Sequence, residues 1–175
     1  MIMDILASCI IYSHTYEKEA GASAQLKVVQ QVTQCQPTQA ESEDDKRVRA
    51  IKRFLAKYDY GLQASAEDFV KIAREYKADP YLLVAIAGKE STFGKHQCAP
   101  YNAWGYGNPC HGFNSFADGI RKVAKTIMGG RAYKKFQQTG EVTHLAPVYN
   151  KPQGYEDWVK DVTWFIEKIK KEEYE

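Results

Sequence analysis

Apolar side chains recur every three or four positions through most of the chain after residue 44. This spacing places them on one face of an α-helix, so the pattern predicts a series of amphipathic helices. No stretch alternates apolar and polar residues between hairpin turns, and strands are therefore not expected. The predicted helical segments are 44–58, 65–79, 80–92, 114–130 and 155–171. Together they predict an all-α fold.

Local signals predict where some of these helices begin and end. Ser65, with Asp68 three residues later, resembles a capping box. Asp79 is expected to cap the next helix, with Pro80 at its first position and Gly94 just beyond its end. The last helix is expected to turn one face inward, formed by Tyr155, Trp158, Val159, Val162, Phe165, Ile166 and Ile169.

The first 45 residues have a different composition from the rest. Residues 1–24 are interpreted as a truncated signal or lipid-anchor segment, because "LASC" ending at Cys9 resembles a lipoprotein processing box and "ASA" resembles a cleavage site. The apolar stretch is shorter than the ~20 residues of a membrane span, and a terminal segment without address information is the alternative. Residues 25–45 are rich in Gln, Thr, Ser and acids, which predicts a flexible linker before a domain over 46–175.

The charges of the chain nearly balance. It carries 24 basic and 22 acidic side chains, a net charge of +2. A nucleic-acid partner is not expected, because no dominant basic field is present. A weak attraction to an anionic polymer such as a cell wall is compatible with this balance.

Cys98 and Cys110 enclose "APYNAWGYGNP", a loop rich in Pro, Gly, Asn and aromatic residues. A disulfide closing this loop would suit a secreted protein, and two unpaired thiols are the alternative. The loop has no CxxC pair, and His96 and His111 merely neighbour the cysteines, so the spacing does not indicate zinc. We expect neither a metal nor a cofactor.

Glu90 interrupts the apolar helix that begins at Pro80. Leu83, Ile86 and Ala87 lie seven, four and three residues before it, so all four share one helix face. Apolar neighbours disfavour the ionised carboxylate and therefore raise its pKa. The negative end of the helix dipole raises the pKa in the same way. A carboxyl group that stays protonated near neutral pH can act as a general acid. The alternative is a Glu90 that faces solvent or pairs with Lys89, Lys95 or His96.

The loop after this helix supplies Tyr101, Trp104 and Tyr106 among glycines. Sugar rings stack their C–H faces on aromatic rings, so these residues are candidates for a sugar-binding cleft. Burial in the core is the more common role of such aromatics and is the alternative here.

Four motifs occur in a familiar order: "AIAGKESTFGKH", "NAWGYG", "FNSFADGI" and "APVYN…YEDWV". In this order they resemble the lysozyme-like superfamily of peptidoglycan-cleaving enzymes, and in particular soluble lytic transglycosylase-type domains. The resemblance covers roughly residues 66–169. One departure is the missing glutamine of the family's "GLMQ" segment, near whose place Gly107 or Asn108 stands.

The resemblance implies a two-lobed helical domain with a substrate cleft. It makes Glu90 the general acid/base, places Ser91 beside it, and matches Tyr149 and Asn150 to a "YN" pair whose tyrosine reaches toward the acid and the substrate. The expected partner is a peptidoglycan strand, and the protein is expected to act outside the cytoplasm as a monomer. A membrane anchor through the N-terminus is compatible with this picture.

The expected reaction is cleavage of the β-1,4 bond between N-acetylmuramic acid and N-acetylglucosamine with Glu90 as the single protein carboxylate. A two-carboxylate route needs a second acid about 5–9.5 Å away, and Asp118, Asp157 and Asp161 are the candidates. One alternative is an envelope module that binds glycan without cutting it. A helical interaction domain without sugar affinity is the other.

Overall fold

Seven α-helices, two of which are preceded by 3₁₀ turns, account for most of the chain that the structure describes. The structure is a computed structural model and describes residues 41–58, 60–150 and 155–175. No β-strand occurs among these residues, so the predicted all-α class is confirmed. The predicted segment 1–24 and residues 25–40 of the predicted linker lie outside them. The helices are α1 (Glu43–Leu55), α2 (Ala66–Tyr76), α3 (Pro80–Ser91), α4 (Phe116–Gly129), α5 (Lys134–Thr139), α6 (Val142–Tyr149) and α7 (Tyr155–Lys171), and the 3₁₀ turns are Leu62–Ser65 and Arg131–Tyr133.

The first two helices begin close to the predicted positions. Helix α1 begins at Glu43, one residue before the predicted segment 44–58, because Ser42 caps it by accepting from the backbone N–H of Asp45 and its first turn is acidic. The predicted capping box at Ser65 is wrong. The chain enters α2 from a 3₁₀ turn, so Ser65 does not adopt the extended conformation of a cap, and its side chain makes no capping hydrogen bond.

Helix α3 is the centre of the fold. Its residues from Pro80 to Gly88 are all buried, and it packs most extensively against α7. A helix that is apolar on every side is expected in such a position. The predicted start is confirmed, because Asp79 accepts from the backbone N–H of Tyr81 at 2.8 Å and Pro80 occupies the first position. The helix ends at Ser91, and Thr92 follows in the left-handed region.

Helix α7 covers α3 mainly through Trp158, Val162 and Ile169, which are buried as predicted. Tyr155 was predicted to face inward, and this is wrong, since its side chain is 43% exposed. It is the first residue of the helix, and helical side chains tilt toward the N-terminus, so no earlier turn of α7 covers it.

The loop between α3 and α4 is closed at its base. Cys98 and Cys110 form a disulfide with a Cα–Cα distance of 6.2 Å, which confirms the predicted bond. Inside this loop the fully buried Asn102 ties distant backbone groups together. Its amide donates to the carbonyls of Tyr106 at 2.8 Å and His111 at 2.7 Å, and its oxygen accepts from the Tyr106 N–H at 3.0 Å. The loop is therefore held in one conformation from within.

Candidate active site

Glu90 lies in the last turn of α3, where that helix emerges from the core. Its neighbours on the same face, Leu83, Ile86 and Ala87, are fully buried, whereas Glu90 itself is half-buried. Lys89, the nearest basic residue in sequence, bonds Asp161 at 2.6 Å instead. Glu90 forms no ion pair with any residue that the structure describes.

One carboxylate oxygen of Glu90 has a buried partner. The indole N–H of Trp158 on α7 donates to Oε1 at 2.7 Å. Burial raises the pKa of Glu90 above its ordinary value, while the Trp158 hydrogen bond and the charge of Lys89 lower it; burial dominates. The geometry thus combines a hydrogen-bonded carboxyl group with a pKa raised above its ordinary value.

The other oxygen faces the loop. A Cβ added at Gly105 would lie 3.2 Å from Glu90 Oε2, and Gly105 has a φ of +60°. Only glycine combines this backbone conformation with such a close approach at little cost. Gly105 therefore keeps the space in front of the carboxylate open, a role that the sequence motif alone did not indicate.

A cavity of about 150 Å³ adjoins this position. Two of its lining residues, Gly105 and Tyr149, are also neighbours of Glu90, since the charge of Glu90 contributes to the raised pKa of Tyr149 after the larger effect of burial. Tyr106 and Thr126 face each other across part of the lining with their hydroxyl oxygens 3.1 Å apart. The full lining is Gly105, Tyr106, Gly107, Val123, Thr126, Tyr133 and Tyr149.

Tyr149 connects the cavity to the carboxylate. Its ring packs 5.6 Å from that of Trp158, the hydrogen-bond donor to Glu90. Its hydroxyl donates to the backbone carbonyl of Trp104 at 2.9 Å. Tyr149 therefore packs against the residue that holds the candidate acid, while its own hydroxyl is bonded to the loop. Asn150 ends α6, where its backbone N–H bonds the Ala146 carbonyl.

Two residues predicted to bind substrate are buried in the structure. The ring of Trp104 is fully buried, packs against Phe69 at 6.1 Å, and donates its indole N–H to the Leu83 carbonyl at 2.9 Å. Ser91 is only 3% exposed. Burial of both side chains does not favour their predicted contact with a substrate. Both instead join the loop to α3.

Tyr101 lies apart from this cavity. Its ring is 45% exposed, packs edge-on to Phe116 at 5.3 Å, and lines an open groove with Tyr60 and Gln97. Of the three predicted loop aromatics, only Tyr106 lines the cavity near Glu90.

Three contributors to the site were missed by the sequence interpretation: Trp158, Thr126 and Tyr133. The role of Trp158 could have been predicted, because a buried indole N–H needs a hydrogen-bond acceptor and the core contains few polar groups. No comparable signal marked Thr126 or Tyr133. Their place at the cavity depends on how α4 and the turn after it pack.

The three candidate second carboxylates do not join Glu90. Asp161 is paired with Lys89, Asp118 lies 3.9 Å from Arg121 beside another groove, and Asp157 is exposed in the first turn of α7. Neither these acids nor Glu90 is among the residues that line the cavity, but Glu90 borders one of them, Gly105. Among the described residues, no three His, Cys, Asp or Glu side chains form a group suited to a metal ion.

Comparison with protein families, curated proteins and solved structures gives no match for this chain. Within the described ranges, no helix combines the length and apolar character that crossing a membrane requires.

Proposed function

We propose that this protein is a lysozyme-like, peptidoglycan-cleaving glycosidase that uses Glu90 as its only catalytic carboxylate. The observation that carries the proposal is the state of this side chain. It is half-buried, and burial raises its pKa. Trp158 donates a hydrogen bond to one carboxylate oxygen, and Gly105 borders the other. A general acid needs this combination of protonation and fixed position.

The proposed substrate cleft lies between two walls. One is the end of α3 with the loop from Gly105 to Gly107, and the other comprises α4, the turn at Tyr133, and the end of α6. In this proposal the two walls belong to the two lobes of a lysozyme-like domain. Tyrosines dominate the lining, which suits the stacking and hydrogen-bonding surfaces of sugar rings.

In the proposed reaction, Glu90 donates its proton to the glycosidic oxygen as the bond to the N-acetylmuramyl carbon breaks. The acetamido group of the substrate stabilises the positive charge that develops on the sugar. Glu90, now ionised, takes the proton of the muramyl 6-hydroxyl, whose oxygen closes the 1,6-anhydro ring. The proton is thereby returned and no water is consumed. The ion pair of Asp161 with Lys89 and the exposure of Asp157 support this route over a two-carboxylate route, since neither acid has surroundings like those of Glu90.

We also propose that the protein acts outside the cytoplasm, as a monomer, on glycan strands of the wall. The disulfide between Cys98 and Cys110 supports an oxidising compartment, since such bonds are rare where thiols are kept reduced.

The test is digestion of purified sacculi, with the released muropeptides identified by mass spectrometry. The wild-type protein should release products lighter by one water than the corresponding hydrolysis products. Glu90→Gln should lower the rate by about 10²- to 10⁴-fold, the usual contribution of a general acid/base. Glu167→Gln, a matched change at an exposed position on α7, should have no effect.

Two outcomes would contradict the proposal. Release by Glu90→Gln at the wild-type rate would show that this carboxyl group is not the acid. Sacculus binding by the wild-type protein without any released product would instead favour the non-catalytic glycan-binding module.

A further inference from the structure

Positive charge is concentrated in one part of the chain. Between Asp118 and Glu141 there are six basic residues and no acidic residue. The whole chain has a net charge of +2, so the other 153 residues together carry −4. These basic residues, called the α4–α5 basic surface below, are Arg121, Lys122, Lys125, Arg131, Lys134 and Lys135.

The fold brings these residues together. Helix α4 carries the first three, the following 3₁₀ turn carries Arg131, and α5 begins with Lys134. The segments are joined by Gln137, whose amide donates to the carbonyls of Ile127 at 2.8 Å and Gly130 at 2.9 Å. The Gln137 side chain therefore ties α5 to the end of α4. A groove of about 510 Å³ lies along α4. Three of the six basic residues line it together with one acid, and the full lining is Tyr76, Asp118, Arg121, Lys122, Lys125, Thr126, Gly129 and Gly130.

These charges have little compensation within the molecule. Arg121 approaches Glu75 and Asp118 only at 3.8 and 3.9 Å, and the other five basic residues form no ion pair with any described residue. Some basic residues elsewhere are paired closely, as Lys89 is with Asp161 at 2.6 Å, whereas Arg53, Lys71 and Lys170 are unpaired among the described residues but do not follow one another in a segment free of acids. Like charges on neighbouring segments repel, and this repulsion is relieved when an anion binds.

The basic surface is continuous with the cavity near Glu90. Thr126 lines both the groove and the cavity. The ammonium group of Lys122 lies 5.6 Å from the ring centroid of Tyr106, a lining residue of the cavity. Tyr133, between Arg131 and Lys134 in sequence, lines the cavity as well. A polymer seated in the cavity would therefore pass over this surface.

We propose that the α4–α5 basic surface binds carboxylate groups carried by the glycan strand, outside the sugars at the site of cleavage. This inference rests on the proposed function, because that function defines which polymer occupies the cavity. Exposed lysine and arginine side chains attract carboxylates through charge and hydrogen bonds, and their attraction is screened by salt. The small net charge of the whole protein argues against a general polyanion binder such as a nucleic-acid-binding protein.

The experiment measures binding, and it is done with the full chain carrying Glu90→Gln so that cleavage does not remove the ligand. The test variant adds Lys125→Gln, Arg131→Gln and Lys134→Gln. The control variant instead adds three substitutions at exposed basic residues without ion pairs in the described part of the chain, and it has the same net charge. These are Arg53→Gln, Lys71→Gln and Lys170→Gln.

Binding to purified sacculi is measured by co-sedimentation at low and high salt. The test variant should bind roughly tenfold more weakly than the Glu90→Gln parent at low salt, since each exposed charge contact contributes modestly. The control variant should bind like the parent. High salt should remove most of the difference, because the Debye length falls to about 8 Å at 0.15 M and shortens further above it.

Three further ligands identify the anion. On sacculi whose carboxylates have been converted to amides, and on uncharged chitin, the test and control variants should bind equally. On sacculi stripped of phosphate polymers, the difference should persist. Its loss there would assign the surface to phosphate and overturn the carboxylate proposal.

Equal binding of the test and control variants to untreated sacculi would overturn the proposal, as would a defect seen only with DNA or with anionic lipid vesicles. Because the parent is already inactive, these results do not depend on catalysis. Failure of the proposed reaction appears separately, as a wild-type protein that releases no muropeptide.

Discussion

The hydroxyl group of Ser91 offers a sharp test of the site's architecture, since the resemblance places this residue beside the acid while the structure buries it. Its Oγ lies 2.8 Å from the Ala103 carbonyl and 2.9 Å from the Ala87 carbonyl, so its single O–H can donate to either one, and it accepts from the Gly94 N–H at 2.8 Å. The Ala87 carbonyl also accepts from backbone N–H groups. Ser91→Ala therefore leaves two buried groups without this partner, the Ala103 carbonyl and the Gly94 N–H.

Each unsatisfied buried group costs about 1–3 kcal/mol, so we expect Ser91→Ala to lower the free energy of unfolding by about 3 kcal/mol. With a denaturant slope of about 2 kcal/mol/M, the urea midpoint followed by circular dichroism falls by about 1.5 M. Ser42→Ala is the matched control, because its hydroxyl caps α1 at an exposed position and should cost about 1 kcal/mol.

The affinity of folded Ser91→Ala for sacculi should equal that of the wild-type protein. An unchanged urea midpoint together with weakened sacculus binding would refute the structural role and restore the substrate contact.

Four other changes test the surroundings of the acid. Trp158→Phe removes a hydrogen bond that lowers the pKa of Glu90, so the alkaline limb of kcat/KM against pH should move to higher pH; a limb that stays or moves down contradicts this. Gly105→Ala should cost about 1 kcal/mol of stability because its φ is +60°, and should slow cleavage roughly tenfold because its Cβ would crowd the carboxylate; an unchanged rate contradicts this. Cys98→Ser removes the disulfide to Cys110 and should lower the free energy of unfolding, measured by thermal or urea denaturation, by about 3 kcal/mol. Reductant should lower the free energy of unfolding of the wild-type protein by the same amount, and a smaller loss in the variant than in reductant contradicts this. Glu90→Gln should stabilise the protein at alkaline pH, because the raised pKa means that ionised Glu90 destabilises the fold; this gain should vanish below the ordinary pKa of 4.5, and unfolding free energies at both pH values check it.

Periodicity predicted the five long helices because amphipathic spacing and packing agree there, but it did not predict the short helices α5 and α6, which offer too few turns for a repeat to show. Helix α3 is the instructive case, since apolar residues surround it, yet the position of Glu90 relative to Leu83 and Ile86 still placed the carboxyl on a buried stripe. Its start was predictable because Asp79 and Pro80 act within one turn. Ser65 was mispredicted because its conformation depends on the preceding 3₁₀ turn.

The aromatic loop was harder to interpret, because an aromatic residue there suits a core or a cleft equally well. Trp104 and Tyr106 are two positions apart, yet one is fully buried and the other lines the cavity. What separates them is tertiary: Trp104 reaches the Leu83 carbonyl, and Tyr106 reaches Thr126. The α4–α5 basic surface was not predicted, because the net charge of the whole chain does not show that one segment is basic while the rest is acidic.

The raised pKa of Glu90 therefore depends on the rigidity of the loop. Half-burial of a carboxyl group destabilises a fold, so such a group stays in a productive position only if its surroundings cannot relax around it. Around Glu90, one boundary is Trp158, fixed in the core, and the other is Gly105, on a loop held by Asn102 and by the disulfide. Loosening the loop would let water reach the carboxyl, lower its pKa toward the ordinary value and remove the protonated form that the proposed reaction requires. Loop mutations that never touch the carboxylate should consequently shift the pH profile of cleavage downward, opposite in direction to the shift expected from Trp158→Phe.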